Sequence, residues 1–223
     1  MKLSPKIFDF FKDLKNNNNR MWFLKNKSSF NPNQEQVKIF GEMVKDRLNN
    51  FDNIDKFKLF RIYRDVRFSK NKTPYKTHFG LTWHRTKPKL RGGYYLHIEN
   101  KRSFLACGFW APIPQDLKRI RDEISHDSSE LKSILFDNEF QSVWGQLKGD
   151  EVKTAPRGFD KNHPDIELIK KKQYILTINF TNNDVCSENF IERIEQALFK
   201  VKPFVDYMSE VLTTDDNGEP LFE

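Results

Sequence analysis

The 223-residue sequence predicts an α+β fold: a mainly antiparallel five-stranded sheet with helices packed on one face and at the ends. Three observations carry that expectation. Apolar residues recur at helical spacing in the first third, alternate from Phe57 to Trp110, and return to helical spacing after Pro114. The connections between alternating segments are short, as antiparallel hairpins require. No Gly/Ser- or Pro-rich stretch divides the chain, so residues 1–212 read as a single domain and 213–223 as a mobile tail.

Ser4-Pro5 opens the first helix, with Ile7, Phe8, Phe11 and Leu14 on one face, and the run Asn16 to Asn19 stops it. A short second helix begins at Met21, Trp22 and Phe23. A longer one is expected from about Pro32 to Leu48 along the stripe Val37, Phe40, Val44 and Leu48. In 57–68 the period becomes two, with Phe60, Ile62, Val66 and Phe68 on one side and Leu59, Arg61, Tyr63, Asp65 and Arg67 on the other. Arg64 falls on the apolar side. Phe79, Leu81 and Trp83 mark a second strand, Tyr94, Leu96 and Ile98 a third, Phe104 to Trp110 a fourth, and the order is that of a meander. Leu117, Ile120 and Ile124 then fit a helix, and Leu131 to Trp144 another. Residues 149–172 are polar and turn-rich, Tyr174 to Phe180 alternate as a fifth strand, and a final helix from about Glu188 is kinked or ended by Pro203.

The formal charge of +7 is concentrated. Between Lys56 and Arg91 there are twelve Lys or Arg against one acid, Asp65, whereas the rest of the chain is mildly acidic. Such an asymmetry points to an anionic partner. No apolar run approaches the roughly 18 to 20 residues that span a bilayer, and Cys107 and Cys186 have no C-x-x-C spacing, so a cytoplasmic protein with free thiols and no membrane partner is expected.

Within the basic block, Asp65 lies between Arg61 and Arg67 on one side of the expected strand, and a carboxylate-oriented guanidinium is well presented to phosphate or carboxylate. Arg61, Arg64, Arg67, Lys72, Tyr75 and Lys76 are therefore the candidate ligand-binding residues. The competing reading is a salt-bridge network that braces the aromatic core, which the placement of Arg64 favours for that residue. Basic residues interleaved with Tyr63, Phe68 and Tyr75 also suit single-stranded nucleic acid, although no helix-turn-helix, zinc-finger or RNP-like signature accompanies them. Asp65, His78, His84, His97, Glu99, His163 and Asp165 are the groups that could do acid–base work or bind a metal, and of these His78, His163 and Asp65 are the candidate catalytic residues. None of the five histidines is paired at the i, i+4 spacing of a helical zinc site, so no metal and no cofactor are expected.

Three blocks, Asn17-Asn18 with Trp22-Phe23, RIYRDVRFSKNKTPYKTHFG at 61–80 and APRGFDKNHPD at 155–165, together resemble the family known as domain of unknown function 2461. GGYYLHIE at 92–99 fits it too, and the likeness spans about residues 4–212. The resemblance implies a single conserved domain and no assigned activity. Its motif residues here are Arg61, Arg64, Asp65, Arg67, Lys72, Pro74, Tyr75, Lys76 and His78, with Gly158, Phe159, His163, Pro164 and Asp165.

The expectation is therefore a protein that binds an anionic, phosphate-bearing ligand in a basic cleft built from residues 61–78. The alternatives are a hydrolase-like enzyme acting on a phosphorylated substrate with His78 or His163 as base, and a nucleic-acid-binding or protein-interaction module. The partners that fit are an anionic small molecule or a nucleic acid; the oligomeric state is left open.

Overall fold

The computed structural model describes residues 1–215 and 217–222. Its elements follow in the order α1 (Lys6–Asn16), α2 (Arg20–Lys25), α3 (Lys27–Leu48), β1 (Ile54–Leu59), β2 (His78–Arg85), β3 (Gly93–Glu99), β4 (Ser103–Phe109), α4 (Pro114–His126), α5 (Ser129–Leu135), α6 (Asn138–Trp144), α7 (Ile166–Ile169), β5 (Tyr174–Phe180), α8 (Asn182–Val185) and α9 (Phe190–Thr213). The five strands form one antiparallel meander in sequence order, and the fold is α+β as expected.

Strand alternation separates the two faces of the sheet. Phe79, Leu81 and Trp83 of β2, Leu96 and Ile98 of β3, Leu105 and Cys107 of β4 and Leu176 of β5 are buried. The helices pack against this side: Phe11 of α1 meets Phe79 edge-on at 4.8 Å between ring centroids, and the Trp83 indole donates to the Gly41 carbonyl of α3 at 2.9 Å. Helix α9 packs against α3, α4, α5 and α6, and Phe190 stacks on Phe40 of α3 at 5.5 Å. The other face carries His78, Gly80, Tyr95, His97, Glu99, Phe104 and Ala106, mostly half-buried; we call it the outer face.

Several boundaries differ from the sequence expectation. The first strand is Ile54–Leu59 rather than 57–68, because from Phe60 the chain leaves the sheet and returns only at His78. That excursion is a closed hairpin-like loop. The Arg64 amide donates to the Pro74 carbonyl at 2.9 Å, the Lys76 amide to the Ile62 carbonyl at 2.7 Å, and Tyr63 bridges Tyr75. Phe68, assigned to the apolar side of the expected strand, is 97% exposed at the tip.

Helix α3 starts at Lys27 instead of Pro32, with Pro32 in its second turn. The expected 131–144 helix is two, because the Asp137 carboxylate accepts the Phe140 amide and caps α6 afresh. Pro203 does not end α9. A proline inside a helix costs about 3 kcal/mol, but Phe204, Val205, Met208 and Leu212 beyond it are all buried and hold the helix together. After α9 the Leu221 amide donates to Thr213, and Thr214 bridges Pro220. Residues 216 and 223 of the expected 213–223 tail lie outside the described residues.

One charged network is centred in the interior, with Arg85 and Asp52 buried and Asp206 at its half-exposed rim. Arg85 is 1% exposed; its Nε lies 3.0 Å from an Asp52 carboxylate oxygen and its guanidinium also reaches Asp206 and the Val205 carbonyl. The Tyr94 hydroxyl donates to Asp52 at 2.6 Å. Burial, together with the Asp52 carboxylate, pushes the Tyr94 phenol far up, so it stays protonated as the donor. This cluster ties the α3–β1 turn, β2, β3 and α9 together. Among the described residues, no helix is long and apolar enough to cross a membrane.

Candidate functional site

The basic block divides into residues held within the 60–77 loop and residues at the edge of the outer face. Arg64 belongs to the first group, donating to the Thr73 hydroxyl at 2.5 Å and the Thr73 carbonyl at 3.3 Å. Lys72 joins it, its ammonium donating to the Val66 carbonyl at 2.9 Å. Arg67 and Asp65 form an exposed two-pronged pair, with Nη2 2.7 Å and Nε 3.0 Å from the carboxylate oxygens. The Arg67 hydrogen bonds hold the Asp65 carboxyl below the usual carboxylate range. Tyr75 is 4% exposed and stacks on Phe23 at 4.2 Å, while Asn18 clasps its backbone by accepting from the amide at 3.1 Å and donating to the carbonyl at 3.0 Å. The Asn17-Asn18, Trp22-Phe23 and 61–80 blocks therefore meet physically.

Lys76 and Arg61 belong to the second group. The Lys76 ammonium donates to the Arg61 carbonyl at 2.9 Å and lies 5.3 Å from the centre of the Phe60 ring, whose other neighbour is the Lys58 ammonium at 5.1 Å. Burial pushes the Lys76 ammonium down, and the positive charges of Arg61 and Lys58 push it further. Among the described residues, none of Lys58, Arg61 and Lys76 is ion-paired with a carboxylate.

His78 follows at the first position of β2 and pairs across the sheet with Glu99, while His97, two residues earlier on β3, pairs with Phe104 on its other side. The register brings all four side chains to the outer face. The His97 ring lies between Phe104, stacked at 4.8 Å and 13°, and His78 at 4.2 Å. Its Nδ1 is 3.0 Å from the Tyr95 hydroxyl and its Nε2 is 3.1 Å from Glu99 Oε2. The result is a hydrogen-bonded Tyr95–His97–Glu99 chain along one strand, with His78 over the middle member. Gly80 makes room for it, because a Cβ there would stand 2.9 Å from the Tyr95 hydroxyl oxygen.

Burial dominates the proton affinities here. It pushes His78 down to about 4, helped by His97 and Lys76 against the pull of Glu99. It also lowers His97 despite the hydrogen bond the ring makes to Glu99, and pushes Tyr95 up to about 12. One ligand-capable atom each of His78, His97 and Glu99 lies within 4.8 Å of the other two. Beside them, His97, Glu99, Arg102, Phe104, Asn179 and Asn182 help line a cleft of about 770 Å³.

His163 stands elsewhere in the contact network. Its Nδ1 accepts the Asp165 amide at 3.0 Å and its Nε2 donates to the Ser125 carbonyl of α4 at 3.1 Å, so both ring nitrogens are engaged. Asp165 accepts from the Ser128 hydroxyl at 2.6 Å and pairs with Lys132 at 2.9 Å. The structure thus does not bring His78, His163 and Asp65 together; His78 is joined by His97 and Glu99 instead. The sequence signal for those two was the alternation Tyr95, His97, Glu99 on a single strand, which places them on the same face but says nothing of what crosses from β2.

Residues 6–207 match the family described as conserved hypothetical protein (DUF2461), and the chain belongs to that family. No curated protein and no solved structure matches it.

Proposed function

We propose that this member of the family binds an anionic, phosphate-bearing ligand at the margin of the outer face, with Lys58, Arg61 and Lys76 receiving the anionic group. The observation that carries this reading is the pair of ammonium groups, Lys58 and Lys76, against the Phe60 ring, with the Arg61 charge acting on Lys76 and none of the three ion-paired with a carboxylate among the described residues. Like charges held together are unfavourable, and an anion placed among them relieves the repulsion while gaining charge-assisted hydrogen bonds. Arg64, Arg67 and Lys72 contribute less to such a site, because their donors already serve the loop or Asp65.

The reading is tested by calorimetric titration with inorganic phosphate and pyrophosphate. Each hydrogen bond to a charged group contributes about 1.5–3 kcal/mol, so Lys76→Gln is expected to weaken binding by roughly 10- to 150-fold. Lys72→Gln is expected to leave it within about twofold, since a surface substitution outside the site shifts free energies by no more than about 0.5 kcal/mol. Equal effects of the two substitutions would remove the proposal.

A second reading, hydrolysis of such a ligand, is favoured by the placement of His78, His97 and Glu99 beside these cations. Turnover of a phosphomonoester that disappears in His97→Ala, while phosphate still binds, supports it; absence of turnover in the unmodified chain eliminates it.

A further inference from the structure

We propose that His78, His97 and Glu99 form a binding site for a divalent transition-metal ion, with its remaining coordination positions open to the outer face. The inference stands apart from the anion reading, since it uses none of Lys58, Arg61 or Lys76.

Geometry is the first argument. Metal–nitrogen and metal–oxygen bonds of about 2.0–2.2 Å at tetrahedral or octahedral angles put neighbouring donors about 3 to 3.5 Å apart. His97 Nε2 and Glu99 Oε2 are already 3.1 Å apart. The His78 donor lies within 4.8 Å of both, so a shift of that one side chain is what an ion would require to complete the set.

Rigidity is the second. The three donors stand on adjacent paired strands, with His78 directly opposite Glu99 and His97 two residues along from Glu99, so the backbone fixes their spacing. Phe104 and His78 on either side of the His97 ring limit its rotation.

Third, His97 has an outer partner of the kind that metal-ligating histidines use. A bound imidazole gives its second N–H to an acceptor, which sets the tautomer and aims the other nitrogen at the ion. In the metal-free chain Nε2–H can donate to Glu99; an ion replacing that proton would leave Nδ1–H donating to the Tyr95 oxygen, 3.0 Å away, and turn the Nε2 lone pair toward the ion.

The donor set selects the class of ion. Two imidazoles and one carboxylate match three-ligand zinc sites and the two-histidine, one-carboxylate arrangement for ferrous iron, both of which keep open positions. Calcium and magnesium need more oxygen donors than the cluster offers.

The full chain, freed of metal with a chelator and dialysed, is titrated with Zn²⁺ by calorimetry, with Mg²⁺ as the comparison ion, and its visible absorption is recorded with Co²⁺. Expected are one Zn²⁺ per chain, no competition from Mg²⁺, and an absorption band for cobalt in a low-coordinate site. His78→Ala, His97→Gln and Glu99→Gln are each expected to weaken Zn²⁺ binding by more than the roughly 10- to 100-fold that loss of an outer partner brings, and Tyr95→Phe by an amount in that range. His84→Ala, on the same strand as His78, is expected to change nothing. Circular dichroism confirms that each variant folds; should one fail to fold, the stoichiometry and cobalt band of the unmodified chain decide. No saturable Zn²⁺ binding, or binding that survives loss of any one of the three donors, overturns the proposal. Phosphate titration of the chelator-treated chain tests the lysine margin separately, so either reading can fail alone.

Discussion

Arg85 occupies a position where polar chemistry and packing are inseparable. Its guanidinium is sealed from water and spread over Asp52, Asp206 and two carbonyls, so truncation would leave the Asp52 carboxylate buried without its cation. Breaking one partner of such a pair typically costs about 3–5 kcal/mol. Arg85→Ala is therefore expected to lose stability of that order in urea unfolding, with the slope of the transition unchanged. Asp184 gives a pH-dependent counterpart. The Arg193 pairing, then the Thr181 hydroxyl, hold its carboxyl down to about 2, and it completes the capping box of α8. A carboxyl lowered in the folded state contributes stability that is present above its unfolded value, about 3.9, and is lost as pH falls through the folded one. Acid titration of unfolding should show the unmodified chain losing its advantage over Asp184→Asn between about pH 4 and pH 2. His163 illustrates how a histidine can be fully occupied without a ligand. Its two nitrogens join the 163–165 turn to α4, so His163→Ala is expected to destabilise the fold by about 1–3 kcal/mol while phosphate affinity stays the same.

At the scale of elements, the 60–77 loop shows what a period of two does and does not specify. Alternation in 60–68 reads as a strand, but the segment bends at Ile62, Arg67 and Phe68 and pairs as a strand would only at Tyr63. Membership of a sheet needs a partner strand, and the partner of Tyr63 is Tyr75 of the same loop rather than a neighbour in the meander. Phe68 continued the apolar rhythm in the sequence yet faces water at the tip of the loop, 97% exposed. The clasp from Asn18, 57 residues away, was equally hidden, since a run of four Asn after a helix reads as a stop signal. Asn18→Ala is expected to raise amide hydrogen exchange at Tyr75 and Lys76 well above that of β3, with about 1–3 kcal/mol lost from the stability of the loop. His78, His97 and Glu99 were legible as candidate groups, but their convergence escaped for a related reason. Helical zinc sites announce themselves by i, i+4 spacing, whereas a site built across strands depends on the β2–β3 register, which no local spacing encodes.

For the molecule as a whole, the layout of periodicities was sufficient for the fold class and the strand order, because each short connection leaves a meander as the simplest topology. The helix layer was legible as faces but not as partners. That α9 would contact α3, α4, α5 and α6 follows from tertiary packing, which also carries the helix past Pro203. The concentration of charge between Lys56 and Arg91 was legible too, but its destination was not. Part of it turns inward with Arg85, part closes the 60–77 loop, Arg91 pairs with Asp116, and the remainder includes Lys58 and Lys76 at Phe60. If that remainder is what an anion meets, affinity for pyrophosphate should fall steadily as sodium chloride is raised, a trend that Lys58→Gln together with Lys76→Gln flattens.

The division of β2 into two sets of alternate residues has an evolutionary consequence. Phe79, Leu81 and Trp83 answer to the interior, and His78, Gly80 and His84 to whatever arrives from outside. Descendants of such a chain are free to exchange one set for new chemistry while the other keeps the architecture unchanged, so a shared scaffold does not by itself require a shared outer surface.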